Sequence, residues 1–155
     1  MKVLKIVGWT LLALLIIAQF VAPGPPENKE DNPGDLIANG LATPEVAQLL
    51  KNSCYDCHSN EVVYPWYSHV APVSLLVRHD VLEGRDELNF SEWQDAYDKR
   101  RKLRKLKEVG EVIEEGEMPL GIYTLMHPGA KLSESDQEML IEWAKETSAK
   151  VMEMD

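Results

Sequence analysis

Cys54-Tyr55-Asp56-Cys57-His58 decides how the rest of this chain is read. It is C-x-x-C-H, the attachment signature of a c-type haem. Its thiols are the only two in the chain. Cysteines three positions apart lie on one face of a helical turn, where both can add to the vinyl groups along one haem edge. His58 follows at once and can offer an imidazole nitrogen to the iron as proximal ligand.

Three other chemistries use a C-x-x-C pair. A structural zinc site needs four ligands, normally from two knuckles, and no second Cys pair exists here. A thioredoxin-like redox pair expects a βαβ context, and no strand pattern surrounds the motif. A plain disulfide at this spacing fits least.

Outward from the motif, the sequence reads as an all-α protein. Thr43-Pro44-Glu45 is a helix start, with Thr as N-cap, Pro at the first position and an acid in the first turn. Val46, Leu49, Leu50, Ser53, Cys54 and Cys57 then recur at helical spacing, so the motif closes an amphipathic helix. After it, Tyr64-Pro65-Trp66-Tyr67 reads as a packed loop, and Tyr64 and Trp66 are candidate walls of the haem pocket. A second helix is expected from Pro72 to Glu83, closed by Gly84. His69 and His79 on this stretch are minor candidates for the second axial position.

Ser91-Glu92-Trp93-Gln94 is a capping-box pattern and predicts a helix from Glu92 to about Val109, ended by Gly110. Lys99 to Lys107 form a basic run inside an acidic protein. Its readings are a solvated face, a docking patch for an acidic redox partner, or a source of hydrogen bonds to haem propionates. Next comes Glu117-Met118-Pro119-Leu120. A thioether is a soft neutral ligand suited to low-spin iron, and Pro119 stiffens the approach of Met118. Met118, 60 residues after His58, is the leading candidate for the sixth ligand, ahead of His127 and Met126. Met139, Met152 and Met154 read as helix or chain-end residues. The last helix starts at Ser133 and buries Met139, Leu140, Trp143, Ala144, Thr147 and Val151, with the Thr43–Cys57 helix as its expected partner.

The N-terminus runs Met1-Lys2-Val3-Leu4-Lys5, then almost unbroken apolar residues to Ala22. With Val3 and Leu4 the stretch has about 20 residues, enough to span a bilayer. No small-x-small cleavage site follows it, which favours an uncleaved anchor over a removed signal peptide. The leading lysines place the N-terminus in the cytoplasm and the remainder outside. Residues 23–42 hold Pro23-Gly24-Pro25-Pro26 and a polar run, and read as a tether without packed structure. The division is therefore 1–22 anchor, 23–42 tether, 43–155 haem-binding domain. Net charge is −10 overall, and beyond Lys5 there are 14 basic and 26 acidic groups. That balance excludes nucleic acid and disfavours anionic lipid as partner of the exported part.

These segments together resemble the small monohaem cytochromes c of class I. More closely, they are similar to a bacterial haem-binding domain family. Its members follow the haem motif with Tyr-Pro-Trp-Tyr, here Tyr64–Tyr67. They share Gly84-Arg85, Leu88–Trp93, Glu117–Leu120, Tyr123 and Met126–Pro128. The resemblance covers about Ala42 to Ala144 and implies a cytochrome c-like helical fold, one covalent haem c and His58/Met118 ligation. The long basic helix exceeds what a minimal cytochrome c needs. The expected function is a membrane-anchored periplasmic cytochrome of the bacterial inner membrane, an electron carrier between redox partner proteins rather than an enzyme. A rival is a peroxidase or gas sensor with an open or exchangeable sixth position, served by His127 or His79. A haem-free domain holding zinc through Cys54 and Cys57 is the third.

Overall fold

The computed structural model describes residues 1–153, all helix, turn and coil, with no strand among them. Met154 lies outside the described residues. Helix α1 (Lys2–Val21) has no buried residue and is long and apolar enough to cross a membrane. Only Ala18 and Ala22 near its end are partly covered, so the helix projects from the rest of the protein.

Residues 23–42 carry no regular element, as expected, but they are not a free tether. Leu36 is fully buried and its N–H donates to the Phe90 carbonyl at 2.9 Å. The Lys29 N–H donates to Asn60 O, and the Tyr64 hydroxyl to Pro26 O at 2.7 Å. Asp35, also buried, accepts from Ile37 N, Ala38 N and the Tyr55 hydroxyl. A polar, Pro-rich segment can pack where neighbouring side chains satisfy its backbone, and composition does not report those neighbours.

Helix α2 (Pro44–Ser53) starts as the capping pattern requires, with Thr43 Oγ1 accepting from Val46 N. It does not continue through the motif. Cys54 leaves helical geometry (φ −126°, ψ −40°), and the single-turn α3 (Tyr55–His58) follows. Helix α4 (Val73–Glu87) runs through Gly84 rather than stopping there. The capping-box region yields only the four-residue α5 (Trp93–Ala96). Tyr97 is extended and buried, its hydroxyl accepting from Asn89 N at 2.8 Å, and this breaks the expected long helix. Asp98 then caps α6 (Lys99–Glu114) by accepting from Arg101 N.

Gly110 lies inside α6 and does not end it. A mid-helix glycine costs only about 1 kcal/mol relative to alanine, and burial of Leu106 and Ile113 outweighs that. Helix α7 (Gly121–Met126) is short and has no buried residue. Helix α8 (Glu134–Glu153) buries Leu140, Trp143, Ala144, Thr147 and Val151 as expected, while Met139 stays exposed. Its chief partner is α6, and it meets α2 over a smaller contact. Trp143 Nε1 donates to Leu41 O at 2.8 Å, tying the segment before α2 to the last helix.

Leu36→Ala is expected to cost about 2–5 kcal/mol, the range for emptying a buried leucine site. Thermal unfolding of the full chain checks this, since a free tether predicts no change. Gly110→Ala should do the reverse. An added Cβ meets no atom within 4 Å there, so the same assay should show a gain of about 0.5–1 kcal/mol.

Candidate functional site

The turn at Cys54 sets the geometry of the motif. Its carbonyl accepts from Cys57 N at 3.1 Å and from His58 N at 2.9 Å, closing α3 on itself. Tyr55 stacks on Phe90 with ring centroids 5.4 Å apart and the planes within 5°. Asp56 points the other way, accepting from Val63 N and from the Tyr123 hydroxyl at 2.9 Å. Cys54, Cys57 and His58 are left facing a cleft of about 300 Å³, opposite Met118, Pro119, Leu120 and Tyr123. An adjoining cleft of about 210 Å³ shares Cys54, His58 and Met118, and adds Phe90, Val109 and Ile113.

Glycine is required where α4 crosses the motif. A Cβ on Gly84 would stand 2.7 Å from the Cys57 carbonyl oxygen, inside contact distance with backbone. This explains a glycine in mid-helix at a position that reads in sequence as a helix stop. Because α4 comes so close, His58 Nδ1 lies 2.8 Å from Gly84 O and 3.0 Å from Leu88 O. Carbonyls only accept, so Nδ1 carries the hydrogen and donates it. The tautomer left has its lone pair on Nε2, the arrangement that orients a metal-binding imidazole. Burial also holds the His58 pKa below its ordinary value, which favours the neutral, ligating ring.

Burial pushes the Cys54 thiol up to about 12, with the nearby Cys57 adding to it. Cys57 rises to about 11, through burial first and then Asp80 and Asp56. Redox-active C-x-x-C pairs show the opposite shift, so the thioredoxin-like reading loses support. The zinc reading also lacks its ligands: among the described residues no group of three or more His, Cys, Asp or Glu is arranged to hold a metal ion.

Met118 reaches the cleft through the end of α6. Gly116 takes the left-handed conformation (φ +72°). Its N–H donates to Ile113 O, and Glu117 N donates to Val112 O. These two bonds make a Schellman cap, which turns the chain sharply past the helix. Met118 N also donates to Val112 O at 3.2 Å, so the residue is held by the cap and not by a loose loop.

The aromatic wall is elsewhere than expected. Trp66 is 76% exposed, and the Tyr64 hydroxyl donates to Pro26 O; neither lines these two clefts. Pro65 precedes a short 3₁₀ turn, Trp66–His69, and the Tyr64 ring stays near Cys57 and Asp56 while its hydroxyl is spent on Pro26. The apolar walls are instead Phe90, Leu88, Val109, Ile113 and Leu120. Tyr123, missed as a site residue, lines the cleft and ties α7 to the motif through Asp56. Its place among the positions shared with the haem-binding family, and an acid between the two cysteines that needs a partner, are the signals for it.

The other axial candidates do not line the clefts. His127 Nε2 is bonded to the Tyr67 hydroxyl at 2.8 Å. His79 lies on the surface beside Asp80 and Glu83, and His69 packs edge-on to Tyr64. Met126 and Met152 are exposed. Within the basic run one residue differs from the rest: Lys105 is buried, lines the second cleft and pairs with Glu108 at 2.7 Å and Glu87 at 3.3 Å. Burial opposes its charge, but the two carboxylates outweigh that and hold its pKa up.

Residues 13–146 match the family described as the haem-binding domain, and the chain belongs to that family. No curated protein and no solved structure matches it. The residues at the cleft fit the group that the family binds. They supply two thiols on one turn, an imidazole with its outer nitrogen held and its inner nitrogen free to ligate, a soft thioether and apolar walls.

Gly84→Ala should cost about 1–3 kcal/mol, the usual range for overpacking. Denaturant unfolding measures it, with the unhindered Gly110→Ala as comparison.

Proposed function

We propose that this protein is a membrane-anchored monohaem c-type cytochrome that carries electrons between redox partners at the outer face of the bacterial inner membrane. One observation carries the reading. His58, held through Nδ1 by two backbone carbonyls, shares a cleft with Cys54, Cys57 and Met118. That is a complete set of two attachment thiols and two axial donors.

Haem bound there supplies a one-electron ferric/ferrous couple. Cys54 and Cys57 would hold its edge through two thioethers, each formed by adding a thiol S–H across one vinyl group with no net oxidation. His58 would hold the iron through Nε2, and its Nδ1 bonds to Gly84 and Leu88 fix the ring against rotation. Met118 would supply the second protein donor. His/Met ligation raises the potential relative to His/His, which suits a carrier of electrons toward stronger oxidants. Phe90, Leu88, Val109 and Ile113 line the cleft and would keep water from the group held there.

Helix α1 supports the location. Its length suits the bilayer, and Lys2 and Lys5 lie at the end retained in the cytoplasm by the positive-inside rule. An anchored carrier meets membrane-bound partners at a raised effective concentration. The peroxidase or gas-sensor alternative needs a distal acid–base group. His127 and His79 are occupied away from the clefts, so it has less support.

Two measurements test the proposal. Mass spectrometry of the denatured protein should show haem retained on the chain, and Cys54→Ala with Cys57→Ala should abolish it. The reduced spectrum should be that of low-spin haem c, and Met118→Ala should convert the ferrous protein to one that binds carbon monoxide rapidly. A wild-type protein that already binds carbon monoxide rapidly would overturn the carrier reading in favour of the sensor or peroxidase.

A further inference from the structure

Near the end of α1, Gln19 makes two hydrogen bonds that an anchor alone does not need. Its Nε2 donates to Ala71 O at 3.0 Å, and its Oε1 accepts from Ala71 N at 3.0 Å. A side-chain amide thus pairs with both polar groups of one backbone residue, as a neighbouring strand would. Arg78 Nη1 reinforces the junction by donating to Gly24 O, and Arg85 Nη1 by donating to Glu27 O. The end of α1 and the chain leaving it are therefore bonded to α4 and to Ala71, two residues before it.

Gln19 lies two residues from the end of α1, about 3 Å along the axis at 1.5 Å per residue. The 20 residues of α1 span about 30 Å, the thickness of the hydrocarbon layer. A bilayer around α1 therefore has its surface at Ala71. The side chains flanking that point are Trp66, Val70, Val73, Leu75 and Leu76, between 40% and 76% exposed. Five large apolar groups within five residues of one bonded position make an unusual surface for a soluble domain. Trp is also the residue enriched at the membrane–water boundary.

We infer that the segment Trp66–Leu76 is a second membrane contact, lying in the interfacial layer and seated there by the Gln19–Ala71 pair. This rests on the reading of α1 as a transmembrane anchor. The occupant is the boundary between headgroups and acyl chains, not a protein. The segment is bonded to the end of α1 through Gln19 and Ala71, and the net negative charge of the domain asks for no anionic headgroup. The contact would hold the haem domain against the bilayer. Helix α4 leads from Val73 at the surface to Gly84 at the motif, so the haem side of the domain stays within reach of membrane-embedded partners.

Photo-crosslinking tests this with the full-length holoprotein in phosphatidylcholine vesicles carrying a diazirine on the acyl chain. Peptide mapping should find adducts on α1 and on the peptide containing Trp66–Leu76. Gln19→Ala should leave the α1 adducts unchanged and reduce those on Trp66–Leu76 several-fold. Adducts on α1 alone would overturn the second contact while leaving the anchor standing. Adducts spread equally to exposed Met139 on α8 would overturn it as well. Absence of adducts on α1 would remove the anchor, and the inference with it.

Discussion

One hydrogen on His58 Nδ1, shared between the carbonyl oxygens of Gly84 and Leu88, is what the cleft depends on. It selects the tautomer, sets the ring plane and leaves Nε2 for a ligand. Those carbonyls can reach it because residue 84 has no side chain and α4 lies against the Cys57 backbone. Further bonds keep α4 there. Arg85 Nε donates to Ser59 O at 2.7 Å, directly after the motif, and its Nη1 donates to Glu27 O. Asn89 Nδ2 donates to Asn60 Oδ1, and Asn60 N donates to Ser91 Oγ. The segments before, within and after the motif are thus joined to one helix end by polar contacts, of which those among Asn60, Asn89 and Ser91 are buried. Such contacts are costly to break, because their groups have no water to return to.

Features with a local cause were legible in the sequence. The haem signature, the Thr43 cap, the Met118-Pro119 pair, the buried stripe of α8 and the apolar N-terminal helix each follow from residues within a few positions of one another. What was not legible depends on a neighbour distant in the chain. Gly84 and Gly110 are both glycines in helical patterns, and sequence assigns both as stops. One is a crossing point and the other a tolerated defect, and only the opposing backbone tells them apart. The break at Tyr97 follows the same rule: its hydroxyl serves Asn89, and that tertiary bond prevails over helix periodicity.

Aromatics and charges misled for the same reason. Tyr64 and Trp66 are close to the ligand in sequence, but the Tyr64 hydroxyl is spent on Pro26 and Trp66 is largely exposed. Phe90 reaches the cleft from 32 residues beyond His58. The basic run reads as uniform, yet Lys105 is buried between two carboxylates while Arg100, Arg104 and Lys107 face solvent. Residues 23–42 read as a linker because burial of Leu36 and Asp35 is invisible to composition.

The two sides of the cleft are built unequally. The His58 side belongs to the buried core, with Tyr55 and Phe90 stacked beneath it and α4 bonded across it. The Met118 side rests on the cap of α6 and leads into α7, six residues with none buried. Local opening is cheapest where few apolar contacts and few protected bonds must be given up. Under fluctuation, then, the methionine flank releases first, while the histidine flank persists until the whole fold is lost. Withdrawal of Met118 from the cleft and denaturation are separate events in this molecule, with separate free energies.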